Sequence, residues 1–285
     1  MNQMSVLRWH NADNILTQLP QIVVENDNIL FKIKLSKKVR VMIRYYCSGF
    51  DNFEHGLGKM FKQELKDTKS IVYVPGNAEE IETIKTKYLP MFADYFKKVG
   101  IEFETVNLIT PDLSQNTAKE MIKNASFVML MGGCPFKQKA LCEKLGIMDE
   151  LKKFDGVMMG FSAGAMLMSE YIIITPCSEE YPDFRIEPGL NLDSISIYPH
   201  NNTADTEYPD ELVSGDETYK KSDLIQVAKQ YGKFYLLQDN ERENGSMDVS
   251  LIKVSNGKME FYTENDGKIW LVDKSVEMIL GPKIS

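Results

Sequence analysis

The chain is poor in the residues that build metal sites and disulfide frameworks. Its 285 residues include only three histidines and four cysteines. The histidines are far apart in sequence, the cysteines form no CxxC pair, and a chain of this length does not need disulfides to support its core. We therefore expect no metal and no other cofactor, and we expect the cysteines to be reduced thiols that are mostly buried.

Long apolar runs and an excess of positive charge are also absent. No stretch approaches the roughly 20 apolar residues that cross a bilayer, and residues 1–14 contain no basic stretch followed by an apolar segment. With 33 basic and 41 acidic residues the net charge is −8, which disfavours binding to phosphate backbones and to anionic lipid surfaces. These absences predict a cytoplasmic protein without nucleic-acid or membrane partners.

What the sequence does contain, from residue 39 onwards, is an alternation of short β-branched or aromatic runs with longer helical patterns. This alternation is typical of a parallel sheet with crossover helices. Pro90 should kink or end the helix in which it lies, because proline has no backbone donor. The predicted strands are Val39–Cys47, Ser70–Pro75, Glu102–Ile109, Phe127–Met131 and Val157–Gly160, and the predicted helices are Asn52–Thr68, Glu79–Lys98, Ser114–Asn124 and Pro135–Phe154.

Beyond Ile174 the pattern becomes irregular before a second group of elements. Asn256-Gly257 separates two alternating runs and indicates an antiparallel hairpin at one edge of the sheet, because both turn positions need positive φ. The elements predicted here are strands Ser194–Tyr198 and Lys233–Gln238, helix Tyr219–Tyr231, and hairpin strands Ser250–Val254 and Met259–Tyr262.

The whole pattern predicts one domain over residues 1–285. Its fold is a three-layer, doubly wound α/β/α sandwich around a mostly parallel sheet, with the hairpin at its C-terminal end. Residues 1–38, with a strand predicted at Asn28–Leu35, are interpreted as an N-terminal elaboration of that domain.

Residues 156–165 contain the motif that carries chemistry. Gly160-Phe-Ser-Ala-Gly164 matches G-x-S-x-G between a predicted strand and a predicted helix, which is the context of a nucleophile elbow. Glycine at both ends lets the backbone turn sharply, so that the hydroxyl of Ser162 projects above the sheet. The alternative is that small residues only let a helix pack closely on a strand, but the flanking strand and helix favour the elbow.

Backbone amides at the same sheet edge predict an oxyanion hole. Gly132-Gly133 ends the preceding strand and opens a helix, and ligands of open α/β folds bind at the carboxyl ends of the strands. The N–H groups of Gly133 and Ala163 are the candidate oxyanion donors. A tight strand-to-helix turn without this role is the alternative for the paired glycines. Cys134 is a possible nucleophile by residue type, but it has no elbow around it.

The base and its acidic partner come from the C-terminal half. His200 is the only histidine after Ser162, and it follows a strand-like run, which makes it the candidate general base. The residue that orients the imidazole must be a carboxylate, and several compete for this role. Asp239 is favoured by its position at the end of a predicted strand, and Glu241, Asp205 and Glu217 are the other candidates.

These segments together resemble peptidase family S51, the group of dipeptidase E and cyanophycinase within the class I glutamine amidotransferase-like superfamily. The resemblance extends over roughly residues 39 to 275 and leaves the N-terminal segment outside. It is carried by Met131-Gly-Gly-Cys-Pro-Phe-Lys-Gln138, Gly160-Phe-Ser-Ala-Gly-Ala165, Tyr198-Pro-His-Asn201 and Leu237-Gln-Asp239.

The resemblance implies a serine peptidase that hydrolyses small peptides, after an N-terminal aspartate or within aspartate-derived polymers in the best-known members. It implies a monomer or small homo-oligomer without metal, with Ser162 and His200 as the catalytic pair. By position in the family motifs, Cys134, Asn201 and Lys220 are candidate substrate-binding residues. A different class of function also stays open, namely a regulatory binding protein that has kept the scaffold and lost turnover.

Overall fold

The structure is a computed structural model. It describes residues 42–50, 53, 56–174, 184–201, 222–242, 247–279, 281 and 283, and the backbone of 22–25, 28–31, 211–214 and 217–221. The chain divides into two compact units, residues 1–40 and 41–285. In the first unit, β1 (Ile22–Glu25) and β2 (Asn28–Phe31) form an antiparallel pair; β2 lies within the strand expected at Asn28–Leu35, and residues 32–35 lie outside the described residues. One domain with an N-terminal elaboration stays a prediction.

The second unit contains the elements that the sequence pattern indicated, and its described strands form a seven-stranded sheet, a four-stranded sheet and two antiparallel pairs. Its helices are α1 (Gly56–Glu64), α2 (Ile81–Thr83), α3 (Leu89–Lys98), α4 (Gln115–Asn124), α5 (Pro135–Lys144), α6 (Met148–Lys153), α7 (Ala163–Met168) and α8 (Lys221–Tyr231). Its strands are β3 (Ile43–Cys47), β4 (Ser70–Gly76), β5 (Thr105–Leu108), β6 (Phe127–Gly133), β7 (Val157–Phe161), β8 (Tyr171–Ile174), β9 (Arg185–Pro188), β10 (Ile197–Tyr198), β11 (Glu211–Ser214), β12 (Glu217–Lys220), β13 (Phe234–Leu237), β14 (Val249–Ser255), β15 (Lys258–Glu264), β16 (Ile269–Val272) and β17 (Val276–Ile279).

The larger sheet has seven strands in the order β15-β14-β3-β7-β6-β4-β5. The five strands from β3 to β5 in this order are parallel, and the β14–β15 hairpin is antiparallel at one edge. Residues of α1 and α3 pack on one face of this sheet, and residues of α4 to α7 pack on the other. The predicted three-layer α/β fold with a mostly parallel sheet and a C-terminal hairpin is therefore confirmed.

The hairpin turn has the conformation that its sequence requires. Asn256 has φ 51° and Gly257 has φ 75°, so both turn positions lie in the left-handed region that Asn-Gly tolerates. This turn places β15 beyond β14 as the edge strand. The Asn-Gly pair thus predicted that β14 and β15 form an antiparallel hairpin at an edge of the sheet.

Three helix predictions need correction. The helix expected over Pro135–Phe154 is two helices, α5 and α6, which separate around Gly146 at φ 64°. The helix expected over Glu79–Lys98 is interrupted by a π-helical turn at Ile84–Tyr88, and Pro90 lies directly after that turn, in the first turn of α3. The helix expected from Tyr219 begins at Lys221 because β12 takes the preceding residues.

A second sheet of four strands, β10-β13-β16-β17, was not expected from the sequence. Strand β10 has only two residues and pairs in parallel with β13, while β16 and β17 continue the sheet antiparallel. Helix α8 contributes Leu224 and Ala228 to the apolar cluster of this sheet. The carboxyl ends of β10 and β13 lead directly into His200 and Asp239, so this sheet positions two of the predicted site residues.

A buried ion pair fixes the segment before β10 to β3. The guanidinium of Arg44 donates hydrogen bonds to the carbonyl of Leu192 and to the carboxylate of Asp193, at 2.8 and 2.7 Å. The hydroxyl of Tyr46 donates to the other oxygen of Asp193 at 2.6 Å. Burial and the carboxylate raise the pKa of Tyr46 well above its usual value, so the phenol remains a neutral donor.

Replacing Asp193 by alanine should therefore destabilise the fold by about 3–5 kcal/mol, the usual cost of leaving one buried partner unpaired. Urea denaturation of wild type and Asp193→Ala measures this change in the free energy of unfolding. The control is Asp223→Ala, an exposed acidic residue in the first turn of α8, which should cost no more than about 1 kcal/mol, the contribution of such a charge near a helix N-terminus. A loss below about 1 kcal/mol at Asp193 would show that the pair contributes little.

Two further expectations concern cysteines and membranes. Cys47 and Cys142 are buried, and neither they nor the partly exposed Cys134 form a disulfide; Cys177 lies outside the described residues. Burial raises the pKa of the Cys142 thiol to about 12, so this thiol is unreactive. In the part of the chain that the structure describes, no helix is both long enough and apolar enough to cross a membrane.

Candidate active site

Ser162 lies on a sharp turn between β7 and α7. Its backbone has φ 51° and ψ −118°, a region that costs a non-glycine residue on the order of 1–3 kcal/mol. The turn is held because the N–H of Ser162 donates to the carbonyl of Cys47 at 2.9 Å, and the N–H of Met166 donates to the carbonyl of Ser162 at 3.0 Å. The strained conformation is therefore imposed by β3 on one side and by the first turn of α7 on the other.

The glycines around this serine are required by close backbone contacts. A Cβ atom on Gly160 would lie 2.5 Å from the carbonyl carbon of Gly164. A Cβ on Gly164 would lie 2.0 Å from the carbonyl oxygen of Leu130 on β6. Both distances are far shorter than any van der Waals contact, so a larger residue at either position would push α7 away from the sheet. This is the steric requirement that the G-x-S-x-G spacing predicted.

His200 lies within hydrogen-bonding distance of Ser162. Its Nε2 atom is 2.7 Å from the Oγ atom of Ser162. The backbone of His200 has φ 59°, and its N–H donates to the Oγ atom of Ser48 at 2.8 Å, while that hydroxyl donates to the carbonyl of Leu237. Ser48 thus connects the histidine to the end of β3 and to β13, and the imidazole itself is 42% exposed.

Asp239 contacts the other nitrogen of the same imidazole. Both of its carboxylate oxygens lie near Nδ1 of His200, at 2.8 and 2.9 Å, and its side chain is only 5% exposed. Gly49 leaves the space for this carboxylate, because a Cβ there would lie 2.5 Å from Oδ2 of Asp239. The three side chains therefore form a continuous hydrogen-bonded row from a buried carboxylate to an accessible hydroxyl.

The other carboxylates considered from the sequence do not take this place among the described residues. Glu241 is exposed and forms an isolated bridge with Met247. Glu217 lies on β12, whose side chains are not described, and Asp205 lies outside the described residues. Asp239 is thus the carboxylate that the structure brings to His200.

The two candidate oxyanion donors come from two elements, the start of α7 and the end of β6. Ala163 is the first residue of α7, and its N–H is among those that have no partner inside the helix. Gly133 has φ 129° and, like Gly132, lines the same cavity as Ser162. A Cβ on Gly132 would lie 3.6 Å from Cβ of Ser162, so the paired glycines place their backbone directly beside the serine.

A cavity of about 590 Å³ opens above these residues, within the size range of small-molecule sites. Ser162, His200 and Gly133 line it, and eight of the other fifteen lining residues are aromatic residues or methionines. The described lining residues are Ser48, Gly49, Phe50, Asn77, Glu80, Ile84, Tyr88, Met91, Phe92, Tyr95, Met131, Gly132, Gly133, Cys134, Phe161, Ser162, His200 and Met247.

The three predicted substrate-binding residues are placed differently from one another. Cys134 lines the cavity directly after the paired glycines. Asn201 is 1% exposed and is not among the lining residues; its N–H donates to the carbonyl of Leu237. Lys220 is the last residue of β12, whereas the sequence pattern had placed it in the helix Tyr219–Tyr231. Its side chain is not described. Of the two whose side chains are described, Cys134 lines the cavity and Asn201 does not.

Several lining residues were not singled out from the sequence. Ile84, Tyr88, Met91, Phe92 and Tyr95 recur at helical spacing within the predicted helix Glu79–Lys98. That spacing was a visible signal, but it is the same for a helix face that packs on a core. Ser48 and Gly49 follow a predicted strand and had no motif around them. Among the described residues, no group of three or more His, Cys, Asp or Glu side chains is arranged to hold a metal ion.

Comparison with solved structures gives the same fold. A protein from Listeria monocytogenes EGD-e assigned as a peptidase E is 15% identical, with a TM-score of 0.52, over 78% of this chain and 98% of that chain. A peptidase from an acI-B1 Actinobacterium is 14% identical, with a TM-score of 0.57, over 87% of this chain and 98% of that chain. At such identities the likeness shows the fold alone.

Comparison of sequences identifies the family. No curated protein matched the chain. The family model described as peptidase family S51 matches residues 46–232, which include the G-x-S-x-G turn, the paired glycines and His200. Because this match extends over more than half of the chain, the protein belongs to peptidase family S51 and is a peptidase.

Proposed function

We propose that this peptidase hydrolyses small peptides through an acyl-enzyme on Ser162. The observation that carries the proposal is the row Ser162, His200 and Asp239, in which Oγ is 2.7 Å from Nε2 and Nδ1 is 2.8 Å from a carboxylate oxygen. A nucleophile, a base that contacts it and a carboxylate that contacts the base are the parts that nucleophilic acyl transfer requires. The strained turn at Ser162 and the adjoining cavity supply access for a substrate.

In the first half-reaction, the Oγ atom of Ser162 attacks the scissile carbonyl while Nε2 of His200 accepts its proton. The carbonyl oxygen becomes an oxyanion, for which the N–H groups of Gly133 and Ala163 are the proposed donors. The imidazolium then gives its proton to the leaving amine as the carbon–nitrogen bond breaks. The first product leaves, and the acyl group remains as an ester on Ser162.

In the second half-reaction, a water molecule takes the place of the amine. His200 accepts a proton from the water as its oxygen attacks the ester, and it returns that proton to Oγ of Ser162 when the ester bond breaks. Asp239 stabilises the imidazolium in both steps and keeps the hydrogen of the neutral ring on Nδ1. The exposed fraction of His200 is consistent with the approach of water from the cavity.

Covalent labelling with a fluorophosphonate tests this proposal without knowledge of the substrate. We expect wild type to gain one phosphonyl group, located on the peptide that contains Ser162 by mass spectrometry. Ser162→Ala should gain none. Cys134→Ala should be labelled at the same site, because Cys134 lines the cavity but takes no part in the chemistry. A folded wild-type protein that stays unlabelled, or that is labelled at another residue, would contradict the proposed mechanism.

A further inference from the structure

Residues 47–49, at the carboxyl end of β3, each adjoin a different member of the row formed by Ser162, His200 and Asp239. From these contacts we infer that the three residues hold the row in line, and that Ser48 is the residue that positions the general base. The inference rests on the proposed function, because it takes His200 as the base that acts on Ser162.

The end of β3 is held on both sides. This strand lies between β7 and β14 in the seven-stranded sheet. On the β7 side, the N–H of Ser162 donates to the carbonyl of Cys47 at 2.9 Å. On the β14 side, the N–H of Ser48 donates to the carbonyl of Ser250 at 3.2 Å. The position of Ser48 is therefore fixed relative to the nucleophile.

The hydroxyl of Ser48 links this strand to the base. Its Oγ atom accepts a hydrogen bond from the backbone N–H of His200 at 2.8 Å and donates one to the carbonyl of Leu237 at 3.2 Å. That carbonyl also accepts from the N–H of Asn201 at 2.9 Å. His200 has φ 59°, and a non-glycine residue keeps such a backbone only where the surrounding contacts impose it. Loss of the hydroxyl should let His200 relax and move Nε2 away from Oγ of Ser162.

Other roles for Ser48 fit these contacts less well. A substrate ligand needs an available polar atom, but this residue is 0% exposed and its hydroxyl proton is directed to the carbonyl of Leu237. A second nucleophile would have to contact Nε2 of His200, whereas Ser48 contacts the backbone N–H. A purely structural hydroxyl is the remaining alternative. It differs measurably from a positioning residue, because its loss would lower stability without lowering kcat.

Gly49 acts on the carboxylate through its lack of a side chain. The three atoms nearest to a Cβ at this position would be Oδ2, Cγ and Cβ of Asp239, at 2.5, 3.3 and 3.4 Å. A larger residue would therefore clash with Asp239 first, and the carboxylate would have to move. Its two oxygens lie 2.8 and 2.9 Å from Nδ1 of His200, so such a movement would break the contact that orients the imidazole.

Ser48→Ala tests the positioning of the base. A misplacement of about 1 Å can cost about 10²-fold in rate, so we expect kcat for peptide hydrolysis to fall by about 10²-fold while KM stays within about threefold of wild type. Ser48→Thr keeps a hydroxyl, and Ser48→Val has the same shape without it, so kcat of the threonine variant should be higher by at least about tenfold. A folded Ser48→Ala protein with the kcat of wild type would overturn the inference.

Ser126→Ala is the matched control. Ser126 is also buried, and its Oγ atom accepts from the N–H of Ser70 at 3.4 Å and donates to the carboxylate of Asp67 at 2.8 Å. It precedes β6, at the opposite end of the parallel strands from Ser162. Its loss should leave kcat within about twofold of wild type, because sites without shared partners act independently. An equal loss of kcat in Ser48→Ala and Ser126→Ala would show that the role of Ser48 is structural.

Gly49→Ala tests the contact with the carboxylate, and a double variant shows whether it acts through Asp239. Alone, Gly49→Ala should lower kcat by about 10²-fold, the cost of a misplaced group. In Asp239→Ala no carboxylate is left to displace, so adding Gly49→Ala should lower kcat by less than about twofold further. Equal losses in the two backgrounds would show that Gly49 does not act through Asp239 and would overturn its part in the alignment.

Crystal structures of wild type and Ser48→Ala separate failure of the inference from failure of the proposed function. In Ser48→Ala the distance between Nε2 of His200 and Oγ of Ser162 should increase from 2.7 Å to beyond about 3.5 Å, where a hydrogen bond is lost. This displacement, together with wild-type protein that fluorophosphonate does not label, would contradict the serine mechanism and leave the positioning role in place. An unchanged distance in Ser48→Ala would overturn the inference alone.

Discussion

Replacing Ser162 by alanine is expected to lower kcat for peptide hydrolysis by about 10⁶-fold, the loss typical of removing the nucleophile from a serine hydrolase. The reason is that no other hydroxyl among the described residues stands within reach of Nε2 of His200. Oxyanion donors and substrate binding can still contribute a small residual rate over water. The measurement is peptide hydrolysis by the two purified proteins under identical conditions, at substrate concentrations that resolve kcat from KM.

The control for this substitution is Ser222→Ala, an exposed serine in α8, which should keep wild-type kinetics. Alanine at position 162 retains the strained backbone, so its free energy of unfolding should stay close to that of wild type. Ser162→Gly should instead gain on the order of 1 kcal/mol, because glycine removes the strain. A Ser162→Ala enzyme whose kcat lies within tenfold of wild type would exclude this serine as the nucleophile.

The extent to which sequence predicted the site depends on how local each feature is. The turn at Ser162 was predictable because its cause is local: a strand, glycines two residues before and after the serine, and a helix in immediate succession. The Asn256-Gly257 hairpin was predictable for the same reason. The pairing of His200 with Asp239 depends instead on the second sheet, where β10 and β13 are distant in sequence and β10 has only two residues.

Features that depend on long-range packing could not be read from periodicity. The face of α3 that carries Met91, Phe92 and Tyr95 has the same spacing as a face buried in a core, and only the structure shows that these residues line a cavity. Lys220 was expected on a helix because Tyr219–Tyr231 has a helical pattern, yet pairing with β11 takes residues Glu217–Lys220 into a strand. Local propensity was overridden there by strand pairing.

The same comparison explains why Asp239 was one of four candidates. A carboxylate at a strand end is common, so the sequence alone favoured Asp239 only by position. Two features of the structure distinguish it: the side chain is 5% exposed, and Gly49 leaves room for it where a Cβ would come within 2.5 Å of Oδ2. Gly49 lies 190 positions before Asp239 in the chain. It follows β3 of the seven-stranded sheet, whereas Asp239 follows β13 of the four-stranded sheet.

Asp239→Asn is therefore expected to lower kcat by about 10⁴-fold while KM changes little. The amide keeps the size of the carboxylate, but its NH₂ group can donate to Nδ1 of His200 and thereby place the ring hydrogen on Nε2. In that tautomer Nε2 has no lone pair to accept the proton of Ser162, although the geometry of the row is preserved. Steady-state kinetics measure this loss, and thermal denaturation establishes that the fold is retained.

Glu241→Gln tests whether Asp239 or Glu241 is the carboxylate that orients His200 during the reaction. Glu241 is two residues from Asp239 and exposed, so its replacement should leave kcat within about twofold of wild type, as for a surface position. Because fluorophosphonate labelling uses the same base as catalysis, its rate should fall in Asp239→Asn and stay unchanged in Glu241→Gln. The reverse pattern would mean that the row rearranges when substrate binds and that Glu241, not Asp239, orients the histidine during the reaction.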